Sequence, residues 1–221
     1  IAMPGHPTWR TPTTSSLSPL DLRRIRSCPA ALAVHASRGA WKCYRHLAHL
    51  NRLVTDLVAG RLTTVMPTGE TAITNRLLIS EPPQHGKSDF ISKYLPAWYL
   101  GMRPTHRIIH NSYGDRYSQA WGRRARSVMR EVGPEIFGVR VSDEKSEQRE
   151  WEIAGYGGSM FSAGVKGECT GRPAEMVIID DPHKNAEEAV SELEQEKTWD
   201  TVQSGPLTRL ADGGCVVGVA T

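Results

Sequence analysis

The residues best suited to chemistry lie in one short segment, between an apolar run and a stretch that can form a helix. The apolar run is Leu77-Leu78-Ile79, and the helix-compatible stretch runs from Ser88 to Leu100. A strand that leads into a tight loop ending in Gly-Lys-Ser and opening a helix is the phosphate-binding arrangement of nucleotide hydrolases. We therefore predict a phosphate-binding loop with the sequence Glu81-Pro82-Pro83-Gln84-His85-Gly86-Lys87-Ser88.

Five residues of this loop have a role in the hypothesis. Gly86 has no side chain, so the backbone can pass close to a phosphate, and the N–H groups at the helix start point toward an anion. Lys87 would contact the β- and γ-phosphates of ATP, and Ser88 would offer its hydroxyl to Mg²⁺. Gln84 and His85 complete the predicted nucleotide-binding residues.

The first half of the loop departs from the usual motif. Glu81 stands where the motif has Gly. Pro82 and Pro83 have no N–H group, so any cradle of donors would begin at Gln84. Considered alone, the segment also fits an ordinary strand-turn-helix with a chance Gly-Lys-Ser.

A second candidate segment is an apolar run, Val177-Ile178-Ile179, that ends in Asp180 and Asp181. Ligands of open α/β sheets bind at the carboxyl ends of the strands, where these two acids would lie. We predict that Asp180 holds Mg²⁺ opposite Ser88 and that Asp181 polarises the attacking water. The alternative is that the acids only cap the next helix.

The remaining pattern predicts an α/β fold with a mainly parallel sheet and helices on both faces, because apolar strand-like runs alternate with helical periodicity. Strands are predicted at about 76–80, 107–111, 176–181 and 215–220, and helices at about 41–58, 88–100 and 114–132. Gly155 to Gly158 indicates a hairpin turn, and residues 142–149 a polar loop. Residues 1–40 are predicted to be a loosely ordered leader, and 41–221 the domain itself.

The formal net charge of +3 does not by itself indicate a nucleic-acid partner. Residues 1–60 contain eight Lys or Arg but only two Asp, so they could contact a polyanion or form a solvated arm. On the helix predicted at 114–132, one face carries Arg116, Arg123, Arg126 and Arg130. These arginines could follow a DNA backbone, although the pattern alone favours a solvated charged face.

The four cysteines are widely spaced and predict neither a zinc site nor a disulfide framework, so a reducing cytosol is the default. No apolar run reaches membrane-spanning length, and no signal peptide is visible.

From about residue 47 onward, the order of motifs resembles the ATPase domain of phage terminase large subunits, the motors of viral DNA packaging. The phosphate loop resembles that family's Walker A motif, and the segment ending in Asp180 and Asp181 its Walker B motif. The other matching segments are Pro96-Ala97-Trp98-Tyr99-Leu100-Gly101, Ser112-Tyr113, Gly164-Val165-Lys166-Gly167-Glu168-Cys169-Thr170-Gly171-Arg172, Pro182-His183-Lys184-Asn185, Trp199, Thr208-Arg209-Leu210 and Val219-Ala220-Thr221.

This resemblance implies an additional-strand (ASCE), RecA-like P-loop NTPase fold and an ATPase with Mg²⁺ as its metal ion. It implies a homo-oligomeric ring around double-stranded DNA, in the host cytoplasm, with the terminase small subunit and the portal protein of the procapsid as partners and no membrane. Arg172 resembles a trans-acting arginine finger, which would stabilise charge on the phosphoryl group of a neighbouring subunit's ATP. Thr221 falls at the coupling motif, which links hydrolysis to movement.

The chain also departs from the family. Many relatives have Arg where this chain has Gln84, and most have Glu where it has Asp181. The carboxylates of the family's nuclease domain cannot be located, so we do not expect this chain to cut DNA. A non-catalytic DNA-binding or assembly module, or another P-loop nucleotide hydrolase, therefore stays open as an alternative.

Overall fold

Short strands alternate with helices along the chain in the computed structural model, which describes residues 17–167, 169 and 171–220. The helices are α1 Pro19–Arg26, α2 Pro29–Ala36, α3 Arg45–Val58, α4 Leu95–Met102, α5 Asp115–Ile136, α6 Ala186–Val190 and α7 Glu192–Ser204. The strands are β1 Thr63–Val65, β2 Thr71–Ile73, β3 Arg76–Ser80, β4 Arg107–Ser112, β5 Val141–Ser146, β6 Glu150–Ile153, β7 Ser159–Gly164, β8 Ala174–Asp180 and β9 Leu210–Ala220.

Seven of these strands form one sheet in the order β3-β9-β8-β4-β7-β6-β5. The first five run parallel to one another. β7, β6 and β5 pair antiparallel at the other edge. The mainly parallel sheet predicted from the sequence is therefore confirmed, and so is the hairpin that joins β6 to β7. Its buried strands are apolar along most of their length because both faces are covered.

The register places the carboxyl ends of the parallel strands at one edge of the sheet. Ser80 at the end of β3 lies beside Ala220, and Ser112 at the end of β4 lies beside Asp180. Asp180 in turn pairs with Val219 of β9. The ends of β3 and β8, which carry the two candidate motifs, are therefore separated by the single strand β9.

Helices cover both faces of the sheet. One hydrophobic core contains side chains of the five helices α1, α2, α3, α4 and α5. These pack against sheet side chains such as Ile108, Ile178 and Val217. The opposite core contains Ile109 and Val177 and is covered by α7 and a 3₁₀ turn, Pro206–Arg209. Between the predicted phosphate loop and α4, the chain forms a π-helical segment, Asp89–Tyr94.

The expectation of loose order up to residue 40 is wrong for residues 19–36. α1 begins with a capping box between Ser18 and Asp21. Six residues of α2 are buried, including Leu32 and Ala33 with no exposed surface. Because α2 is apolar on all sides, it shows no helical periodicity that the sequence could reveal.

Residues 142–149 also differ from the expected polar loop, because β5 occupies 141–146. β5 pairs only with β6, so it is an edge strand and needs no apolar run. β1 and β2 form a separate antiparallel pair that was not predicted, and β1 is exposed throughout. In the part of the chain that the structure describes, no helix is long and apolar enough to cross a membrane.

Candidate functional site at the carboxyl edge of the sheet

The loop after β3 makes a sharp turn toward the helix that follows it. Gln84 and Gly86 both have positive φ angles, 64° and 81°. A Cβ on Gly86 would find room, 3.6 Å from Leu47, so the backbone angle and not crowding favours glycine there. The left-handed conformation of Gln84 is uncommon for a residue with a side chain and marks a constrained loop.

Two histidines fix the path of this loop. The Nε2–H of His46, near the start of α3, donates a hydrogen bond to the carbonyl oxygen of His85 at 2.9 Å. The Nδ1–H of His85 donates to the carbonyl oxygen of Pro83, also at 2.9 Å. Both assignments follow because a carbonyl oxygen can only accept. The sequence did not single out His46, which lies 39 positions before His85.

The buried carboxylate of Asp180 joins the two candidate motifs. The hydroxyl of Ser88 donates to Oδ1 of Asp180 at 3.0 Å, and the hydroxyl of Ser92 donates to Oδ2 at 2.7 Å. Burial raises the pKa of Asp180 to about 6, together with the nearby charge of Asp181. The hydrogen bonds from Ser92 and Ser88 and the charge of Lys87 act in the opposite direction and lower that pKa.

Lys87 therefore lies near enough to Asp180 for its charge to act on that carboxyl group. Its side chain is almost fully buried, with 5% of the residue exposed. A buried ammonium near a buried carboxylate and two hydroxyls is an arrangement that can receive a phosphate and a cation together. The structure thus brings Lys87, Ser88 and Asp180 into one site, while their assignment as nucleotide and metal ligands stays a prediction.

The oxygen donors of Ser88 and Asp180 fit Mg²⁺ when water and phosphate supply the other ligands. Among residues 17–167, 169 and 171–220, no group of three or more His, Cys, Asp or Glu could hold a metal ion. Mg²⁺ usually keeps several waters and is bound through one or two carboxylates together with substrate phosphates. Ser112 lies beside Asp180 in the register, and its buried hydroxyl has no hydrogen-bond partner among the described residues. Such a hydroxyl suits a bound water.

Asp181 has a constrained backbone at the point where β8 ends. Its φ angle is 46°, a left-handed value that costs energy in a residue with a side chain. Its N–H donates to Val219 at 3.0 Å, and its carbonyl oxygen accepts from the N–H of Tyr113 at 3.1 Å. Burial raises the pKa of Tyr117, and so do the charges of Asp180 and Asp181. Tyr117 therefore forms part of the same polar region.

The structure does not bring Arg172 to this site within the same chain. Its guanidinium forms an ion pair with Glu150 at 2.6 Å and stacks over the ring of Phe161 at 4.4 Å. Glu150 belongs to β6, three strands away from β8, or about 14 Å at the usual strand spacing. Thr221, the predicted coupling residue, lies outside the described residues.

A cleft of about 880 Å³ opens beside the loop. The residues that line it include Gln84, His85 and Gly86 of the loop and the aromatic residues Trp41 and Tyr44. Aromatic side chains next to a predicted phosphate loop could contact the base of a nucleotide. Sequence reasoning missed these two aromatic residues, since it placed them in the helix predicted at 41–58 and gave them no binding role.

Sequence reasoning also missed Ser92. It lies four residues after Ser88, so both hydroxyls project from one face of the helical segment toward Asp180. This i, i+4 spacing was the signal that could have identified it.

Comparison with solved structures finds a similar fold. The chain resembles the crystal structure of the HK97 bacteriophage large terminase with a TM-score of 0.50 and 12% sequence identity, over 82% of this chain. It spans 33% of that terminase chain, about a third. At this identity, the similarity concerns the fold alone. No protein-family model matches the sequence, and no curated protein matches it either.

Proposed function

We propose that this chain is the ATP-hydrolysing motor domain of a phage terminase large subunit, coupling Mg-ATP hydrolysis to translocation of double-stranded DNA into a procapsid. The observation that carries the proposal is the hydrogen bond from Ser88 to Asp180. It joins two motifs separated by 92 positions in the sequence and places a hydroxyl, a carboxylate and the Lys87 ammonium around one point. The terminase-like fold supports the same reading.

Sheet topology supports the finer fold class. In an additional-strand P-loop NTPase, a strand lies between the strand of the phosphate loop and the strand of the Walker B acid. Here β9 lies between β3 and β8. An ASCE, RecA-like P-loop domain is therefore the fold class that we propose, with Glu81 to Ser88 as Walker A and β8 with Asp181 as Walker B.

Each residue of the site has a proposed role in binding or hydrolysing Mg-ATP. Backbone N–H groups from Gln84 to Lys87 would surround the phosphates, and Lys87 would neutralise the β- and γ-phosphate oxygens. Ser88 and Asp180 would hold Mg²⁺, directly or through water, and the bound ion would neutralise charge developing on the transferred phosphoryl group. Asp181 would orient the attacking water.

The remaining parts of the proposal concern the assembly. Since Arg172 lies away from its own Asp180, we assign it to the site of a neighbouring copy in a ring. Thr221 would begin the coupling segment. The partners would be double-stranded DNA, the terminase small subunit and the portal protein, in the cytoplasm of the host cell.

The central test is phosphate release by the wild-type chain and by Lys87→Ala. We expect the Lys87→Ala variant to release phosphate from Mg-ATP at least ~100-fold more slowly, because the charge that stabilises the transferred phosphoryl group is lost. Lys197→Ala is the matched control, since Lys197 is exposed on α7 and forms an ion pair with the neighbouring Glu194. Equal rates for wild type and Lys87→Ala, across a concentration series that includes assembled protein, would remove the proposal.

The second candidate is a nucleotide- and DNA-binding assembly module that does not turn over. Two observations favour it: the short Asp181 side chain on a strained backbone, and the ion pair that engages Arg172. Equilibrium binding of a fluorescent ATP analogue that Lys87→Ala abolishes, with no phosphate release by assembled wild type, would select this candidate.

A further inference from the structure

One face of α5 carries a regular row of arginines, which we call the arginine stripe: Arg116, Arg123, Arg126 and Arg130. Arg116, Arg123 and Arg130 are exposed and recur every seven residues, or about two helical turns. A seven-residue repeat drifts by only about 20° around a helix, so the three lie in line over about 21 Å. Gln119 and Ser127 lie on the same face.

Two members of the stripe are held in place by the hairpin of β5 and β6. Arg126 donates to the carbonyl oxygen of Ser146 at 2.6 Å, to its hydroxyl at 3.1 Å and to the carbonyl oxygen of Glu147 at 3.0 Å. Arg130 donates to the hydroxyl of Ser146 at 2.8 Å. These bonds order the two side chains without neutralising their charge, because every acceptor is a neutral group.

Among the described residues, no carboxylate forms an ion pair with the arginine stripe. Within the part of the chain that the structure describes, none of its four members forms an ion pair, whereas Asp115 pairs with Arg149 and Glu131 with Arg38. The pKa of Arg126 is lowered by burial and by the charges of Arg130 and Arg123. The guanidinium groups therefore repel one another, and a bound polyanion would relieve this repulsion.

The shape of the stripe favours a straight, regularly charged partner. We propose that the arginine stripe of α5 binds the phosphate backbone of double-stranded DNA. This inference rests on the proposed function and identifies the surface of the chain that contacts the DNA. Guanidinium groups suit phosphate because they can bind its oxygens in pairs. A length of about 21 Å would follow about six base pairs, at 3.4 Å per pair along one strand.

Two other partners fit the stripe less well. Single-stranded nucleic acid is usually bound by aromatic side chains that stack on bases, and no described exposed aromatic lies between Arg116 and Arg130. The acidic region of α6 and α7 in a second copy has the right charge. However, it exposes Val190, Leu193 and Trp199, whereas none of the exposed large apolar side chains of the described residues lies on α5.

The test measures binding of a 30-base-pair duplex to the full chain by fluorescence anisotropy, without nucleotide, from 50 to 200 mM salt. The stripe variant carries Arg116→Ala, Arg123→Ala and Arg130→Ala. Each lost phosphate contact lowers the slope of log K against log salt by about 0.9, so we expect the slope to fall by about 2 to 3. Duplex affinity should fall roughly a hundredfold near 100 mM salt.

The control variant carries Arg23→Ala, Arg52→Ala and Arg61→Ala, three exposed arginines on α1, on α3 and just after α3. It makes the same change in net charge, and we expect its slope to change by less than about one. A third variant, with Arg116→Lys, Arg123→Lys and Arg130→Lys, should retain most of the slope, because the charge is kept. Circular dichroism and thermal unfolding would check that each variant is folded.

Three results would overturn the inference. One is an equal loss of slope in the stripe and control variants. Another is a loss of self-association in the stripe variant, by sedimentation, with duplex binding unchanged, which would make a second copy the partner. The third is tighter binding of a single strand than of the duplex at the same salt. Because binding is measured without nucleotide, a failure of the ATPase proposal would appear separately, in phosphate release.

Discussion

Asp180 has two hydroxyl partners on one helical face and no exposed surface. Such a carboxylate is costly to bury, and its pKa of about 6 expresses that cost. The Gly-Lys-Ser motif and the acid pair were both visible in the sequence, because their residue types are specific. The contact between them, the second hydroxyl from Ser92 and the support of the loop by His46 were not visible. Each depends on a spatial neighbour that is distant along the chain or lies outside the motif.

His110 gives a prediction at the scale of one residue, since it is fully buried on β4. The hydroxyl of Ser118 donates to the carbonyl oxygen of His110 at 2.9 Å, so Nδ1–H of His110 must donate to that hydroxyl, at 2.7 Å. Its Nε2 is buried without a hydrogen-bond partner among the described residues. Burial lowers the pKa of His110 to about 3, so the ring is neutral in the folded protein.

The unfolded chain binds a proton at this histidine below about pH 6.5, whereas the folded chain does so only below about pH 3. Stability should therefore fall with falling pH in this window, by up to about 1.4 kcal/mol per unit. We expect wild type to lose about 2 kcal/mol more than His110→Gln between pH 7 and pH 5. Urea unfolding at the two pH values measures this difference.

Other titrating groups, including Asp180, are shared by the two proteins and cancel in the comparison. The control is His49→Gln, which removes an exposed imidazole instead of the buried one. A pH dependence in His110→Gln equal to that of wild type would show that His110 does not resist protonation.

At the scale of elements, apolar periodicity decided what could be predicted. β8 and α5 were predicted to within a few residues, because a buried strand and an amphipathic helix leave clear patterns. β3 was predicted at its observed bounds from its apolar run, although it is an edge strand in which only Ile79 is buried. α2 was missed because it is apolar all round, and β5 because an edge strand needs no apolar pattern. A helix that is buried on all sides and a strand that is mostly exposed both lack the apolar periodicity from which they could be predicted.

The contact between α5 and β7 gives the element-scale prediction. A Cβ on Gly122 of α5 would clash with the hydroxyl oxygen of Ser162 on β7 and would lie 3.2 Å from the Cβ of Ser162, so a larger residue there would have to displace the serine or the helix. We expect Gly122→Ala to lower the free energy of unfolding by about 1 to 3 kcal/mol, despite the higher helix propensity of alanine. Urea unfolding monitored by circular dichroism measures the change.

Ser162→Gly provides the matched second variant. Its hydroxyl is buried without a hydrogen-bond partner among the described residues, and glycine removes both atoms that the new methyl group would meet. The double variant should therefore be more stable than the sum of the two single effects, by about 1 kcal/mol or more. Simple additivity would show that the close approach of α5 to β7 does not require Gly122.

At the scale of the whole molecule, strand order determines which residues meet. The sequence predicted a mainly parallel sheet, but the position of β9 between β3 and β8 is a long-range pairing that periodicity alone does not specify. This order brings Ser88 to Asp180. Arg172, in contrast, forms its ion pair with Glu150 of β6, which lies three strands from β8. One copy therefore contains the proposed metal and phosphate residues but not the proposed arginine contact.

The last prediction concerns this division between copies. Chains with Lys87→Ala keep Arg172 but lose their own site, and chains with Arg172→Ala keep the site but lack the arginine. If Arg172 acts on a neighbouring copy, mixing the two inactive variants should restore a measurable fraction of phosphate release. Restoration should depend on total protein concentration, because it requires association.

The control is a chain that carries both substitutions, which should release no phosphate at any concentration. Glu150→Gln adds a second readout, since it weakens the ion pair that holds Arg172. If this ion pair only keeps Arg172 away from the neighbouring copy's site, Glu150→Gln should raise the ATPase rate of the assembled protein. If it orients the arginine toward the neighbour, the rate should fall. No restoration in a mixture that sedimentation shows to be assembled would contradict the trans role of Arg172, whereas the Ser88–Asp180 site would stand on its own test.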